Sequence, residues 1–143
     1  MVAIAYSVAA IGMVAWCRHS DRTRERVWHI AIASIVAFAG LASSALLPDS
    51  PLLSVLAVTV GATGTLAILP IFWTLPAARL SGVAAAGAIA LINAIGNVGG
   101  FAGPFVIGWI KDVTGSFSGG LVFVAGGALL TGAIALLIGP SRA

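Results

Sequence analysis

Apolar residues in this chain fall into five long runs, parted by short stretches where charge, proline or glycine gathers. The runs cover residues 2–17, 28–47, 52–75, 83–110 and 120–138. The second ends at the turn Pro48-Asp49-Ser50-Pro51. The third has Pro70 near its end and Pro76 closing it, and the fifth precedes Gly139-Pro140. A helix needs roughly 20 residues to cross a hydrocarbon layer about 30 Å thick, and all five runs approach that length, the first falling a little short. None shows the apolar–polar alternation over nine to eleven residues that marks a barrel strand. The pattern therefore predicts an all-α membrane protein: five transmembrane helices in a single membrane domain over residues 1–143. Pro104 is expected to kink the fourth, which is rich in glycine and alanine.

Composition supports this reading. The chain is 60% hydrophobic and 8% charged, with a mean hydropathy of +1.14, whereas soluble domains carry about a quarter charged residues. A fold this small cannot hide such runs from water. Six of the charged residues lie between Arg18 and Arg26, which defines a polar loop over 18–27. With the first helix running inward, the inner side receives Arg18, Arg22, Arg24, Arg26, Arg79 and Arg142, and the outer side only Lys111. That asymmetry predicts an outside N-terminus, a cytoplasmic C-terminus and a cytoplasmic loop 18–27 in the cell inner (plasma) membrane. The net charge of +3 reflects these flanks and not a nucleic-acid surface. The first run has no basic region ahead of it, so it reads as a retained span and not a secretory signal.

Chemistry is sparse. Cys17 is the single cysteine, so neither an intrachain disulfide nor a cysteine metal cluster is expected. His19 and His29 lie in or beside the charged loop without a spaced metal partner or a serine or cysteine constellation, and read as interfacial polar residues. No carboxylate pair, phosphate-cradling loop or dinucleotide motif is present, so no enzyme activity, metal or cofactor is expected. Small residues dominate instead: 28 alanines and 18 glycines let helices approach closely in lipid, and Gly96/Gly100 with Gly99/Gly103 form two overlapping G-x-x-x-G pairs. The serines and threonines in the runs are expected to bond a carbonyl one turn back.

Two polar features stand out, because a polar group in hydrocarbon needs a partner or a wet cavity. Asn93 and Asn97 are four apart and share a helix face, where their amides can bond a neighbouring helix or a polar solute. Trp73, within Ile71-Phe72-Trp73-Thr74, suits either an interfacial belt or a ligand. The residues themselves leave both choices open.

The run from Gly12 through Cys17-Arg18-His19-Ser20-Asp21-Arg22-Thr23-Arg24-Glu25-Arg26 resembles the signature loop of the major facilitator superfamily. There, a glycine late in one helix is followed by Asp-Arg-x-Gly-Arg-Arg. Gly12, Asp21, Arg22 and Arg26 match the signature, and Arg24 stands where a glycine is usual, a residue that would supply positive φ. Ile71-Phe72-Trp73-Thr74-Leu75-Pro76, and the stretch from Ala90 through Asn93, Asn97, Gly103-Pro104 and Gly108-Trp109 to Thr114-Gly115-Ser116, are similar to the anion:cation symporter branch. That branch includes organic-acid permeases of the tartrate, phthalate and hexonate types. The resemblance implies five helices equivalent to helices 8 to 12 of a twelve-helix transporter, hence a fragment of its C-terminal half.

It further implies organic-anion:cation symport by alternating access, coupled to a proton or another cation in the full-length protein. Trp73 and Asn93 match cavity-shaping and substrate-bonding positions, and Phe72 and Asn97 are weaker substrate-binding candidates. Gly12, Asp21, Arg22 and Arg26 match a conformational gate loop. The implied partners are a small carboxylate or sugar acid, the coupling cation, the lipid bilayer and the missing N-terminal half. No acidic residue, lysine or arginine lies inside a run, so the chain is expected to lack both a cationic anchor and a titratable coupling group. The alternative is a stand-alone small polytopic membrane protein with a structural or assembly role, its asparagines and glycines serving helix association.

Overall fold

The computed structural model of the protein describes residues 2–47 and 49–138. Pro48 in the second turn, the Gly139-Pro140 stop and Arg142 of the inner charge count lie outside them. Five helices follow one another: α1 (Val2–Thr23), α2 (Val27–Ala45), α3 (Pro51–Arg79), α4 (Gly82–Thr114) and α5 (Ser118–Ile138). Among the described residues the fold is all-α. α2 to α5 are each long and apolar enough to cross a membrane. Large aliphatic and aromatic side chains are exposed along every helix, Ile11, Leu56, Phe101 and Leu130 among them. In water such a surface would be costly, and in lipid it is the ordinary outside of a multi-pass protein.

The helices outrun the apolar stretches that announced them. α1 continues through Arg18–Thr23, so most of the segment assigned to the loop 18–27 is helical and the connection shrinks to Arg24–Arg26. Charge marks where a chain leaves the lipid, and arginine is itself a good helix former, so hydropathy places the exit and not the helix end. α3 likewise passes through Pro70 and Pro76 to Arg79. His29, expected in or beside the charged loop as an interfacial residue, lies in the first turn of α2 and is buried.

α2 is the centre of the bundle, packing most extensively on α3 and on α5, while α1 leans on α3 and α4 touches α5 and barely meets α3. Backbones approach closely around α2. A Cβ on Gly40 would collide with the backbone of Gly61 and Ala57, and one on Gly64 with that of Ala33 and Ala37. On the α5 side, a Cβ on Gly132 would sit 2.8 Å from the Ser34 Cβ. Small residues thus act as the contact surface itself, as expected where lipid removes the hydrophobic drive between helices. At the end where α1 stops and α2 starts, Val27, Ile30, Ile71 and Ala135 form a buried cluster, with Trp16, Cys17, Ile68 and Leu75 packed against it.

Candidate functional site

The residues matched to substrate binding lie on α3 and α4. Phe72 and Trp73, both half-buried, form an edge-to-face pair with ring centroids 5.4 Å apart, the geometry favoured by aromatic quadrupoles. Asn93 and Asn97 are exposed on α4, none of whose residues is buried. Neither side-chain amide finds a hydrogen-bond partner among the described residues. A cleft of about 290 Å³ opens between α3, α4 and α5. Phe72 and Ile92, the neighbour of Asn93, line it together with Arg79, Pro76 and Leu80. Trp73 and the two asparagines are not among its walls. The chain therefore does not close a cavity around these residues: Phe72 and Trp73 are half-buried on α3, and Asn93 and Asn97 are exposed on α4.

The charged connection is built differently. Arg26 donates to Asp21 and, at 3.2 Å, to the Ser20 hydroxyl. Ser20, fully buried, donates in turn to the Glu25 carbonyl at 3.2 Å. Thr23 bonds back to the His19 carbonyl at 3.1 Å. The Ser20 and Arg26 bonds tie the last turns of α1 to the connection ahead of α2, while the Thr23 bond stays within α1. Asp21 thus pairs with Arg26 and not with its neighbour Arg22, which is exposed and joins no salt bridge among the described residues. Arg24 has a φ of 55°, the sole non-glycine residue with positive φ among those described. The backbone holds the conformation that a glycine would take without strain, although an arginine occupies it. Gly12 lies earlier in α1, where a Cβ would strike the Thr63 side chain, so it seats α1 on α3.

Beside the connection lies an arrangement that sequence reasoning passed over. His19 Nδ1 and His29 Nε2 are 2.7 Å apart, and Trp16 packs on both rings, with centroids 5.8 and 5.0 Å away. The Trp16 indole N–H donates to the His29 carbonyl at 3.1 Å. The available signal was spacing: Trp16 and His19 share a face of α1, and a tight turn returns His29 to that face. Arg79 was counted only as an inner charge, because the third run seemed to end at Leu75.

Comparison with known proteins places this architecture. The chain is 50% identical over 133 residues, 93% of its length, to an Agrobacterium vitis protein provisionally named a tartrate transporter. It is 37% identical over 122 residues to a quinolone resistance transporter of Acinetobacter baumannii. To the inner membrane transport protein RhmT of Escherichia coli K12 it is 35% identical over 130 residues. Over most of its own length the chain is therefore similar to membrane transport proteins. It spans 28 to 30% of the length of these three relatives, while 85 to 93% of the chain itself is matched. No protein-family model and no solved structure matches it. Four apolar helices and transporter relatives make it a multi-pass membrane protein, and of the four residues matched to substrate binding two, Asn93 and Asn97, stand on the exposed α4.

Proposed function

We propose that this chain is part of the C-terminal half of an organic-anion:cation symporter that works by alternating access in the inner membrane, with its N-terminus outside and C-terminus cytoplasmic. The observation that carries the reading is the Asn93–Asn97 stripe: two unpartnered amides exposed on a helix that buries none of its residues. Amides left facing hydrocarbon are costly, and amides facing a wet cavity shared with further helices are satisfied. The tartrate name of a relative with half its aligned residues in common supports a hydroxy-carboxylate, since carboxamides both donate to carboxylate and accept from hydroxyl. In this reading Asn93 bonds the substrate and Trp73 shapes the cavity. Phe72 and Asn97 line its edges, and Gly12, Asp21, Arg22 and Arg26 hold the gate loop.

The coupling cation is a proton, and the remainder of the transporter brings the cationic anchor for the anion. The chain alone then does not concentrate substrate. Two measurements test this. Asn93→Ala in the full-length transporter is expected to weaken tartrate binding about tenfold, the loss of one to two hydrogen bonds to a charged group; unchanged affinity overturns the site. The chain reconstituted in liposomes is expected to accumulate no tartrate under an imposed pH gradient, and accumulation would overturn the division of labour.

A further inference from the structure

We propose that the His19–His29 pair is a proton-operated latch between α1 and α2, closed when both rings are neutral and opened by a single added proton. The inference follows from counting hydrogens and does not depend on the transport reading. Two neutral imidazoles carry two N–H hydrogens on four ring nitrogens. A 2.7 Å contact between His19 Nδ1 and His29 Nε2 places one of them between the rings. The other sits on His19 Nε2 or on His29 Nδ1. His29 is 5% exposed, and its Nδ1 is buried with no hydrogen-bond partner, whereas His19 is exposed. An N–H at His29 Nδ1 would be stranded; at His19 Nε2 it meets solvent. The neutral pair is therefore one in which His29 Nε2–H donates to His19 Nδ1, and His29 turns only a bare lone pair toward its apolar surroundings.

A third hydrogen has no good place. On His19 Nδ1 it would face the His29 Nε2 hydrogen across the same gap. If the bridging hydrogen is reversed to make room, or if the proton adds to His29 directly, an N–H appears at His29 Nδ1 with nothing to accept it. No arrangement of three hydrogens keeps the contact without a stranded buried donor, which weakens the closed state on the order of tenfold or more. The charged and titratable groups around the pair are these. α1 contributes Arg18, Arg22, Asp21 and the Cys17 thiol, the connection Arg24, Glu25 and Arg26, and the C-terminal end of α3 Arg79. α5 brings no charged residue through Ile138. Of the two carboxylates among these, Asp21 is engaged by Arg26. Parting the rings lets the proton be solvated, and it releases the end of α1 from α2 at the point where Trp16 bridges them.

Trp16 supplies the readout. In the full chain, purified in dodecyl maltoside with Trp28, Trp73 and Trp109 replaced by Phe, Trp16 emission is followed from pH 8 to pH 5. The expected result is a single transition within that interval as the pair takes up its proton. Amide exchange of residues 26–30, corrected for its intrinsic pH dependence, should rise about tenfold over the same interval, matching the weakened latch. His19→Gln and His29→Gln each remove the transition. Emission that stays flat in the parent protein overturns the proposal, as does a transition that survives in His19→Gln. Should His29→Gln fail to fold, as judged by lost helical circular dichroism, the exposed His19→Gln substitution decides the matter by itself.

Discussion

α2 and α4 are written in nearly the same small-residue vocabulary and end up in opposite circumstances. Eleven residues of α2 are buried, and its glycines and alanines meet backbone on α3 and α5. α4 is longer, carries both G-x-x-x-G pairs, and buries nothing; a Cβ on Gly96, Gly99, Gly100 or Gly103 would meet empty space. A small residue is thus an invitation to close packing, and only the position of a neighbouring backbone turns it into a contact. Within this chain α2 has its neighbours, and α4 has a single flank on α5.

The sharpest test of that contrast is a matched pair of substitutions. Gly40→Val drives a side chain into the backbone of Gly61 and Ala57 and should cost about 3 kcal/mol, the upper range for overpacking where the obstacle cannot move aside. Gly99→Val, in open space, should shift stability by less than about 0.5 kcal/mol. Melting temperatures in one detergent compare the two, and equal losses would erase the distinction between the helices. Next in size is Arg24→Gly, which relieves an L-residue held at positive φ and is expected to raise stability by about 1 kcal/mol. A lowered melting temperature would mean that the arginine side chain contributes more than its backbone conformation costs. Asp21→Asn removes the carboxylate charge from the Arg26 pair; Asp21 is 64% exposed, and the expected loss is about 0.5 kcal/mol, fading as salt is raised. Smallest is Asn97→Ala, expected to leave the melting temperature of the chain within about 0.5 kcal/mol of the parent because the amide holds no other helix. A larger drop would give α4 an internal partner and undo the comparison from its other side.

Much of the architecture was legible because lipid imposes a simple grammar: the five apolar runs became five helices in order. Element ends were less legible. Arg18 to Thr23 signal an exit from hydrocarbon, yet their backbone continues α1, since nothing in charge itself breaks an i to i−4 ladder. Pro76 looked like a terminus and is passed by α3, its missing N–H costing little near an end where few carbonyls remain to be served. At the candidate site, the sequence placed Asn93 and Asn97 on a common face but could not say whether a helix would cover them; their exposure depends on the arrangement of five helices. The His19–His29 contact was the least visible. Ten positions apart in sequence, the rings meet because a turn of three residues reverses the chain with one backbone in a left-handed conformation, and no local pattern reports that pairing.

That left-handed turn bears on how resemblance to a family signature is recognised. A signature written in letters scores Arg24 as a mismatch, because the expected glycine is gone. The backbone nevertheless holds the conformation a glycine favours: φ is 55°, and the chain doubles back so that Arg26 reaches Asp21. Searches that compare torsion angles at such corners would find relatives that residue patterns overlook.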